Sequence, residues 1–196
     1  MPRPRNFDED TVVAAARDRF WSGGYAATSV DDLTAATGLG KGSLYGAFGD
    51  KHSLFVRALD GYCVDAIDQM QAQLQQPGVS AYDRLAGHVR ATVEGVVVDD
   101  ERRGCMLAKS SAELGATDAD VDRVVGESLI RWRGYLVECI AEAQRDGDVR
   151  ADADPEALAT TLLSLMRGFE ALRKGGTEPE QIAAAGEQAL ALLAAG

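Results

Sequence analysis

The chain has 196 residues, 46% of them hydrophobic, and a formal net charge of −11 at pH 7. That hydrophobic content is sufficient for a folded core, and no stretch is long and apolar enough to be expected to span a membrane. Three widely spaced cysteines and two histidines predict neither a disulfide framework nor a structural zinc site, and we expect no metal and no cofactor.

The acidity is unevenly distributed along the chain. Residues 1–60 contain 7 Lys and Arg against 8 Asp and Glu, whereas the remainder contains 13 basic and 23 acidic residues. A nearly neutral N-terminal region can still bind phosphate if its cations share one face. Arg3 and Arg5 predict either an arm that touches DNA or a disordered start. The first residues lack the apolar core of a signal peptide, so we expect a cytoplasmic protein.

After a first helix expected at about residues 8–22, two short helices are predicted around a glycine turn. Ser29 and Asp32 have the spacing of a capping box, and Gly38 is typical of a left-handed helix end. The next helix, at about residues 41–48, is rich in glycine, and each interior glycine costs about 1 kcal/mol relative to alanine. We therefore expect apolar packing to hold this helix, whose bare backbone can approach another surface closely.

This layout is that of a helix-turn-helix DNA-binding unit. Lys41 and Tyr45 are placed to reach phosphates, and Ser43 can meet phosphates or base edges. Lys51 opens the following helix, where a cation opposes the helix dipole unless a phosphate is its partner. The candidate DNA contacts are Thr28, Ser29, Thr37, Gly40, Lys41, Gly42, Ser43, Tyr45, Lys51 and His52.

The run GYAATSVDDLTAATGLGKGSLYGAFGDKHSLFVRAL resembles the N-terminal domain of the tetracycline-repressor (TetR) family. The likeness rests on the Gly24-Tyr25 pair, Thr28, the G-x-L-Y-x-x-F segment at residues 42–48, and Lys51. It covers about residues 8–60. The resemblance implies a transcriptional regulator, which we expect to be a repressor. It also implies that a homodimer binds double-stranded palindromic operator DNA. It also implies an unknown small-molecule effector, bound by an all-helical C-terminal domain.

The rest of the chain has helical periodicity with ordinary stop signals, and neither a strand pattern nor a repeat. We expect an all-α fold of about nine helices. Residues 1–49 form the expected DNA-binding domain, linked through a helix at 50–75 to a ligand-binding and dimerisation domain at 50–196. Later helices are expected at about residues 80–98, 104–114, 118–146 and 154–175, with a last one capped by Thr177 and Glu180.

The last two expected helices are the best candidates for a dimer interface. They are apolar around much of their circumference, and the small residues at 183–186 would allow another helix to approach closely. The alternative is that they only complete a monomeric core. The candidate interface residues are Leu158, Leu162, Leu165, Ile182, Ala185, Ala189 and Leu192.

Effector contacts are harder to predict. Aromatic and methionine side chains at helical spacing can line a pocket, although such residues are also ordinary core. These candidates are Met70, Met106, Trp132, Tyr135, Met166 and Phe169. Cys105 is a sharper candidate, because it follows Arg102 and Arg103 at an expected helix start, a setting that favours thiolate reactivity. Its segment, RGCMLAKSSAEL, is similar to one in TetR-like regulators that include electrophile and oxidant sensors.

Two other functional classes stay open from the sequence. One is a thiol-dependent enzyme that uses Cys105, although only His88 offers itself as a base and no oxyanion arrangement can be named. The other is a helical protein-interaction module that binds no DNA. The helix-turn-helix pattern favours the regulator over both, so we expect a protein that is not an enzyme.

Overall fold

The computed structural model describes residues 7–194, which form nine α-helices and no strand. The helices are α1 Glu9–Gly23, α2 Val30–Thr37, α3 Lys41–Phe48, α4 Lys51–Leu74, α5 Ala81–Val97, α6 Met106–Leu114, α7 Ala119–Asp146, α8 Pro155–Lys174 and α9 Pro179–Ala191. Arg3 and Arg5, the predicted arm, lie outside the described residues. None of the described helices combines the length and the apolar character needed to cross a membrane.

Most helix boundaries agree with the sequence-based expectation, and two differ for local reasons. The predicted capping box of α9 is wrong, because Pro179 occupies the first helical position and makes Glu178 the N-cap. Thr177 lies outside the helix, and its N–H donates to Leu172 O at 3.0 Å. Helix α6 begins at Met106, two residues later than expected, because Gly104 has a left-handed φ of 64°.

The chain divides into two compact units, and each is continuous in packing but not in sequence. The head unit consists of Met1–Val64 and Cys105–Gly126, and the C-terminal unit consists of Asp65–Gly104 and Glu127–Gly196. This division by packing assigns α6 to the same unit as α1–α3. The boundary that we expect at residue 49 separates DNA binding from ligand binding, and it stays a prediction.

The head unit is built around an aromatic core. Phe20 of α1 and Phe55 of α4 pack edge to face, with ring centres 5.1 Å apart, and Tyr25 approaches Phe55 at 4.9 Å. On α1, Val12 is buried in line with Ala16 and Phe20, whereas Val13 is only half-buried. A spacing of four residues keeps the three buried side chains on one face.

The C-terminal unit has a larger, mainly aliphatic core to which α4, α5, α7, α8 and α9 contribute. Its fully buried members include Leu85 of α5 and Leu136 of α7. Gly186 lets α9 approach α5, because a Cβ at that position would lie 2.7 Å from Val93 Cγ2. The predicted small-residue stripe at 183–186 therefore serves, through Gly186, a contact inside the protomer.

Candidate DNA interface

A complete capping box closes the N-terminus of α2. The Ser29 hydroxyl accepts from Asp32 N at 3.1 Å, and the Asp32 carboxylate accepts from Ser29 N at 2.8 Å. The hydrogen bonds from Ser29, followed by the ion pair with Arg19 at 3.0 Å, lower the pKa of Asp32 to about 2. The carboxylate therefore stays ionised, and the cap stays closed, well below neutral pH.

Helix α3 exposes one face and buries the other. Gly38 ends α2 with a left-handed φ of 68°, which turns the chain directly into α3. Leu44 and Phe48, one turn apart, are buried and anchor α3 to the head unit. We call the opposite face the recognition surface; it comprises Gly40, Lys41, Gly42 and Ser43, which are exposed, and Tyr45, which is half-buried.

The start of α3 is suited to an anion. Gly40 is the N-cap, so no side chain caps the first N–H groups, and the first turn holds no acidic residue. The positive end of the helix dipole is thus uncompensated. Lys41 Nζ lies 5.7 Å from the centre of the Tyr45 ring, which brings a cation and a phenol to the same side of this helix end. Both groups can donate to phosphate oxygens.

The other predicted DNA contacts differ in how exposed their side chains are. Thr28 is completely buried and its hydroxyl donates to Gly24 O at 2.7 Å, so its side chain holds a loop and is removed from the candidate DNA contacts. Thr37 is half-buried and donates to Leu33 O at 2.7 Å, whereas Ser29 is exposed. Lys51 lies over the Tyr25 ring, with Nζ 4.2 Å from the ring centre. Ser29, Thr37 and Lys51 stay predicted contacts.

His52, the last predicted contact, already has a protein partner. Its Nε2 lies 2.6 Å from Asp118 Oδ2. The other Asp118 oxygen accepts from the N–H groups of Asp120 and Val121 and so caps α7. Potential metal-ligating atoms of His52, Asp118 and Asp120 lie within 4.8 Å of one another, but the His52–Asp118 hydrogen bond and the helix cap already give Asp118 its partners within the protein.

Charged side chains of α6 hold the backbone of the head in place. Lys109 Nζ donates to Trp21 O at 2.7 Å and to Ser22 O at 3.0 Å, at the carboxyl end of α1. The Glu113 carboxylate accepts from Tyr25 N at 2.9 Å and from Ala26 N at 2.6 Å. We call Lys109 and Glu113 the α6 clamp. Neither residue was predicted from the sequence, because their only local signal is a spacing of four on one helix face.

Cys105 is the N-cap residue of α6, and its half-buried thiol makes no capping hydrogen bond. The other two cysteines, Cys63 and Cys139, are buried. Burial raises the pKa of the Cys139 thiol to about 11, and this thiol donates to Ala81 O at 3.2 Å. Of the three cysteines, Cys105 is therefore the one with access to a reagent.

Comparison with known protein families accounts for both parts of this arrangement. Residues 12–58 match the family profile described as bacterial regulatory proteins, tetR family. Residues 81–188, more than half of the chain, match the tetracyclin repressor-like C-terminal domain. The chain belongs to the TetR family of transcriptional regulators. The resemblance of the N-terminal motif and the expectation of an all-α fold are thereby confirmed.

Individual relatives agree with this assignment along nearly the whole chain. The HTH-type transcriptional repressor ComR of Escherichia coli K12 is 27% identical over 180 residues, which cover 92% of this chain and 86% of ComR. A cysteine mutant of the TetR family regulator CifR, solved in complex with 26 bp double-strand operator DNA, is 31% identical with a TM-score of 0.79. The match covers 97% of this chain and 99% of CifR. Reduced E. coli NemR, 18% identical, shares the fold with a TM-score of 0.86 over 95% of this chain and 97% of NemR.

The predicted effector-lining residues of this TetR-family chain fall in both units. Met70, Trp132, Met166 and Phe169 belong to the core of the C-terminal unit, and Tyr135 packs against that core. The Tyr135 hydroxyl donates to Gln71 Oε1 at 2.9 Å. Met106 and Cys105 belong to the head unit. The structure thus assigns five of the seven candidates to the C-terminal unit and the other two to the head unit.

The predicted dimer residues divide into buried and accessible ones. Leu162, Ile182 and Ala189 are buried within the protomer, while Leu158 and Ala185 are half-buried. Leu165 is 36% exposed and Leu192 is 64% exposed. Leu172, which was not among the predicted residues, lies two turns after Leu165 on α8 and is 52% exposed.

Proposed function

We propose that this chain is a cytoplasmic repressor that binds a palindromic operator as a homodimer and leaves it when a small-molecule or electrophilic effector acts. The observation that carries the proposal is the recognition surface, an uncapped, glycine-rich helix start that carries Lys41, Ser43 and Tyr45. A relative that is 31% identical to nearly the whole chain was solved on operator DNA, which supports the same use of the surface here.

Binding is tested by fluorescence anisotropy with DNA from upstream of the protein's own gene, because such regulators often sit beside their targets. We expect tight binding that weakens steeply as salt rises, and loss of binding in Tyr45→Ala. In Lys41→Ala the salt slope should fall by about 1 for each head that is engaged. Arg90→Ala, which removes an exposed cation of the C-terminal unit, should leave the slope unchanged. Binding no stronger than to random DNA, with no difference among these variants, would contradict the proposal.

A homodimer is supported by the exposed apolar side chains of α8 and α9. Leu165, Leu172 and Leu192 are large and exposed in the protomer, on or at the end of two helices that pack together, and exposed apolar side chains there favour a partner surface. One short recognition helix provides little affinity by itself. Two heads about 34 Å apart would reach successive major grooves and so require a two-fold symmetric operator.

The interface is tested with Leu192→Arg in sedimentation experiments. A buried unpaired charge at a dimer contact is strongly unfavourable, so we expect monomers that bind the operator poorly. Ile130→Arg is the matched control, since Ile130 is a 66% exposed apolar residue on α7. It should stay dimeric and active. A dimeric Leu192→Arg variant with full operator affinity would exclude this interface.

Cys105 and the α6 clamp suggest how an electrophile could act on the head. Cys105 directly precedes α6, while Lys109 and Glu113, one and two turns later, bind the backbone at the end of α1 and before α2. An adduct at the start of this helix would displace α6 and strain these hydrogen bonds. Because the effect is exerted within the head unit, it would act directly on the elements that present α3.

This route is tested with hypochlorite or a quinone. The oxidant or electrophile should release operator DNA from the wild type and leave Cys105→Ser bound. Cys63→Ala is the matched control, because its thiol is buried, and it should respond as the wild type does. Equal release from the wild type and from Cys105→Ser would exclude Cys105 as the sensor and leave a non-covalent effector.

The two alternative classes have less support. A thiol-dependent enzyme would need a base for Cys105, but both ring nitrogens of His88 are engaged by Trp132 and Gln73 within the C-terminal unit. Turnover of a thiol substrate would nevertheless favour it. An interaction module would bind a protein partner with little dependence on salt and would show no operator binding.

A further inference from the structure

A polar cluster, buried at His88 and Trp132, interrupts the apolar core of the C-terminal unit. Four helices contribute to it: Gln73 of α4, His88 of α5, Trp132 of α7 and Arg167 of α8. Trp132 Nε1 donates to His88 Nε2 at 3.1 Å, so the proton of the neutral ring is on Nδ1, which donates to Gln73 Oε1 at 3.0 Å. His88 is only 5% exposed, and burial, followed by the charge of Arg167, lowers its pKa to about 4.

Arg167 is the member of this cluster whose hydrogen bonds are incomplete. Its guanidinium carbon lies 4.5 Å from the centre of the Trp132 ring, and its Nη2 pairs with Glu170 at 2.9 Å. Nε and Nη1 are buried and have no hydrogen-bond partner. Of the arginines in the described part of the chain, Arg167 is the one with two such atoms. Arg84, whose side chain is more deeply buried at 8% exposure against 22% for Arg167, binds both Leu74 O and Glu142 and leaves only Nε without a partner.

The chemistry of these atoms selects the ligand. Nε–H and Nη1–H are donors only, and they belong to a permanent cation, so a matching group must be an acceptor and preferably an anion. Glu170 already supplies one negative charge to the same guanidinium, which makes a monoanion a better match than a dianion. His88 is neutral near pH 7 and adds no charge, while the Trp132 ring offers an apolar face.

We infer that Arg167, over the Trp132 ring, binds the carboxylate of a small organic acid, and that this acid is the effector of the proposed repressor. The effector role of the acid rests on the proposed function, whereas the binding site does not. The Arg167 side chain is 22% exposed, so a small acid can approach it from solvent. Gln73, at the other edge of the cluster, is exposed and marks a route from solvent.

Trp132 itself can report binding. The chain contains two tryptophans, so Trp21→Phe leaves Trp132 as the single emitter. In this background we would titrate a series of monocarboxylates, from acetate to octanoate together with benzoate, against the corresponding uncharged amides at constant ionic strength. We expect at least one carboxylate to change the Trp132 emission saturably and its amide to bind at least about tenfold more weakly, the difference that a charge-assisted hydrogen bond provides.

Variants of Arg167 show whether the guanidinium is responsible. Arg167→Met should weaken carboxylate binding by at least about tenfold, and Arg167→Lys, which keeps the charge but loses the fork of donors, should weaken it less. Arg90→Met, at an exposed arginine of the same unit, should bind as the parent does. If Arg167→Met does not fold, Arg167→Lys still provides the comparison. No saturable response to any carboxylate, or equal affinity in parent and Arg167→Lys, would overturn the inference.

The effector role is then tested by adding the bound carboxylate to the protein on operator DNA. Release that is lost in the Arg167 variants would support the inference, and binding without any release would overturn the effector part of it. The fluorescence titration contains no DNA. A protein that binds carboxylate at Arg167 but no operator would therefore contradict the proposed function while the binding site stands.

Discussion

The two units of the chain use the same helix-start chemistry but are stabilised in different ways. In the head, α2 and α3 have only 8 residues each, and their places depend on a few buried side chains and on the charged α6 clamp. In the C-terminal unit, longer helices pack over a larger and mainly aliphatic core. Short helices without such a core are marginal. Small local changes in the head should therefore alter its function, whereas changes in the C-terminal unit should mainly alter stability.

The largest expected effect separates these two responses. Leu44 of α3 and Leu85 of α5 are both essentially fully buried, at 1% and 0% exposure. Replacement of either by alanine should cost about 3 kcal/mol of unfolding free energy, through lost transfer energy and a residual cavity. Only Leu44→Ala should also lower operator affinity of the folded protein, by at least about tenfold, because it releases the recognition helix. Chemical denaturation and anisotropy measure the two quantities.

An equal loss of operator affinity in both variants would contradict this contrast. It would mean that the presentation of α3 depends on the overall stability of the chain and not on its own anchor. Circular dichroism at the temperature of the binding assay provides the control that each variant is folded.

The next effect concerns the pH dependence of the C-terminal unit. The pKa of His88 is depressed to about 4 in the folded chain, from an ordinary value of 6.5. Between these two pKa values the unfolded chain binds more protons than the folded chain. The stability that neutral His88 contributes is therefore complete above pH 6.5 and is lost as the pH falls toward 4. As the pH falls from about 7 to 5, the shifted pKa of His88 should lower the free energy of unfolding of the wild type by about 2 kcal/mol. In His88→Gln that part of the decline should disappear.

His52→Gln in the head is the control, because it removes the other histidine and leaves the buried ring in place. Denaturant titrations of the three proteins at both pH values provide the comparison. A decline of the same size in the wild type and in His88→Gln would show that His88 is not held neutral.

The sequence predicted the head better than the C-terminal unit for a physical reason. Caps, glycine turns and the packing of Leu44 and Phe48 are encoded within a few residues, so α2 and α3 could be placed to the residue. The α6 clamp joins residues that are 87 or 88 positions apart, and no local pattern signals such contacts. The same holds for His88 and Arg167, whose environment comes from four helices.

Burial also decided which predicted residues face solvent. Thr28 has a sequence position typical of a DNA contact, but the hydroxyl of a buried threonine needs an internal acceptor, and Gly24 O provides it. The α8 and α9 positions show the same limit. Their apolar faces are wide, so periodicity could not separate Leu162, which is buried, from Leu165, which is partly exposed.

A smaller effect tests the reason for glycine in α3. A Cβ at Gly42 would contact nothing within 4 Å in the free protein, and the same is true of Gly87 in α5. Each Gly→Ala change should therefore stabilise its helix by up to about 1 kcal/mol. Gly42→Ala should nevertheless weaken operator binding, because the methyl group would lie between α3 and the DNA, whereas Gly87→Ala should not. Unchanged affinity in Gly42→Ala would mean that this backbone does not approach the groove closely.

The smallest effect compares one cap in the two units. Ser29 at α2 and Ser80 at α5 each accept a hydrogen bond at 3.1 Å from the N–H of an aspartate three residues later. Loss of either hydroxyl should cost about 1 kcal/mol in thermal or chemical unfolding.

Helix α5 has 17 residues and seven buried side chains, so it tolerates a frayed first turn. Helix α2 has 8 residues and buries only Leu33, so fraying should propagate to the Gly38 turn and misorient α3. Ser29→Ala should consequently lose operator affinity at equal stability cost, and Ser80→Ala should not. If both variants kept full affinity, the turn would be rigid without its cap, and packing of α3 alone would set the position of the recognition surface.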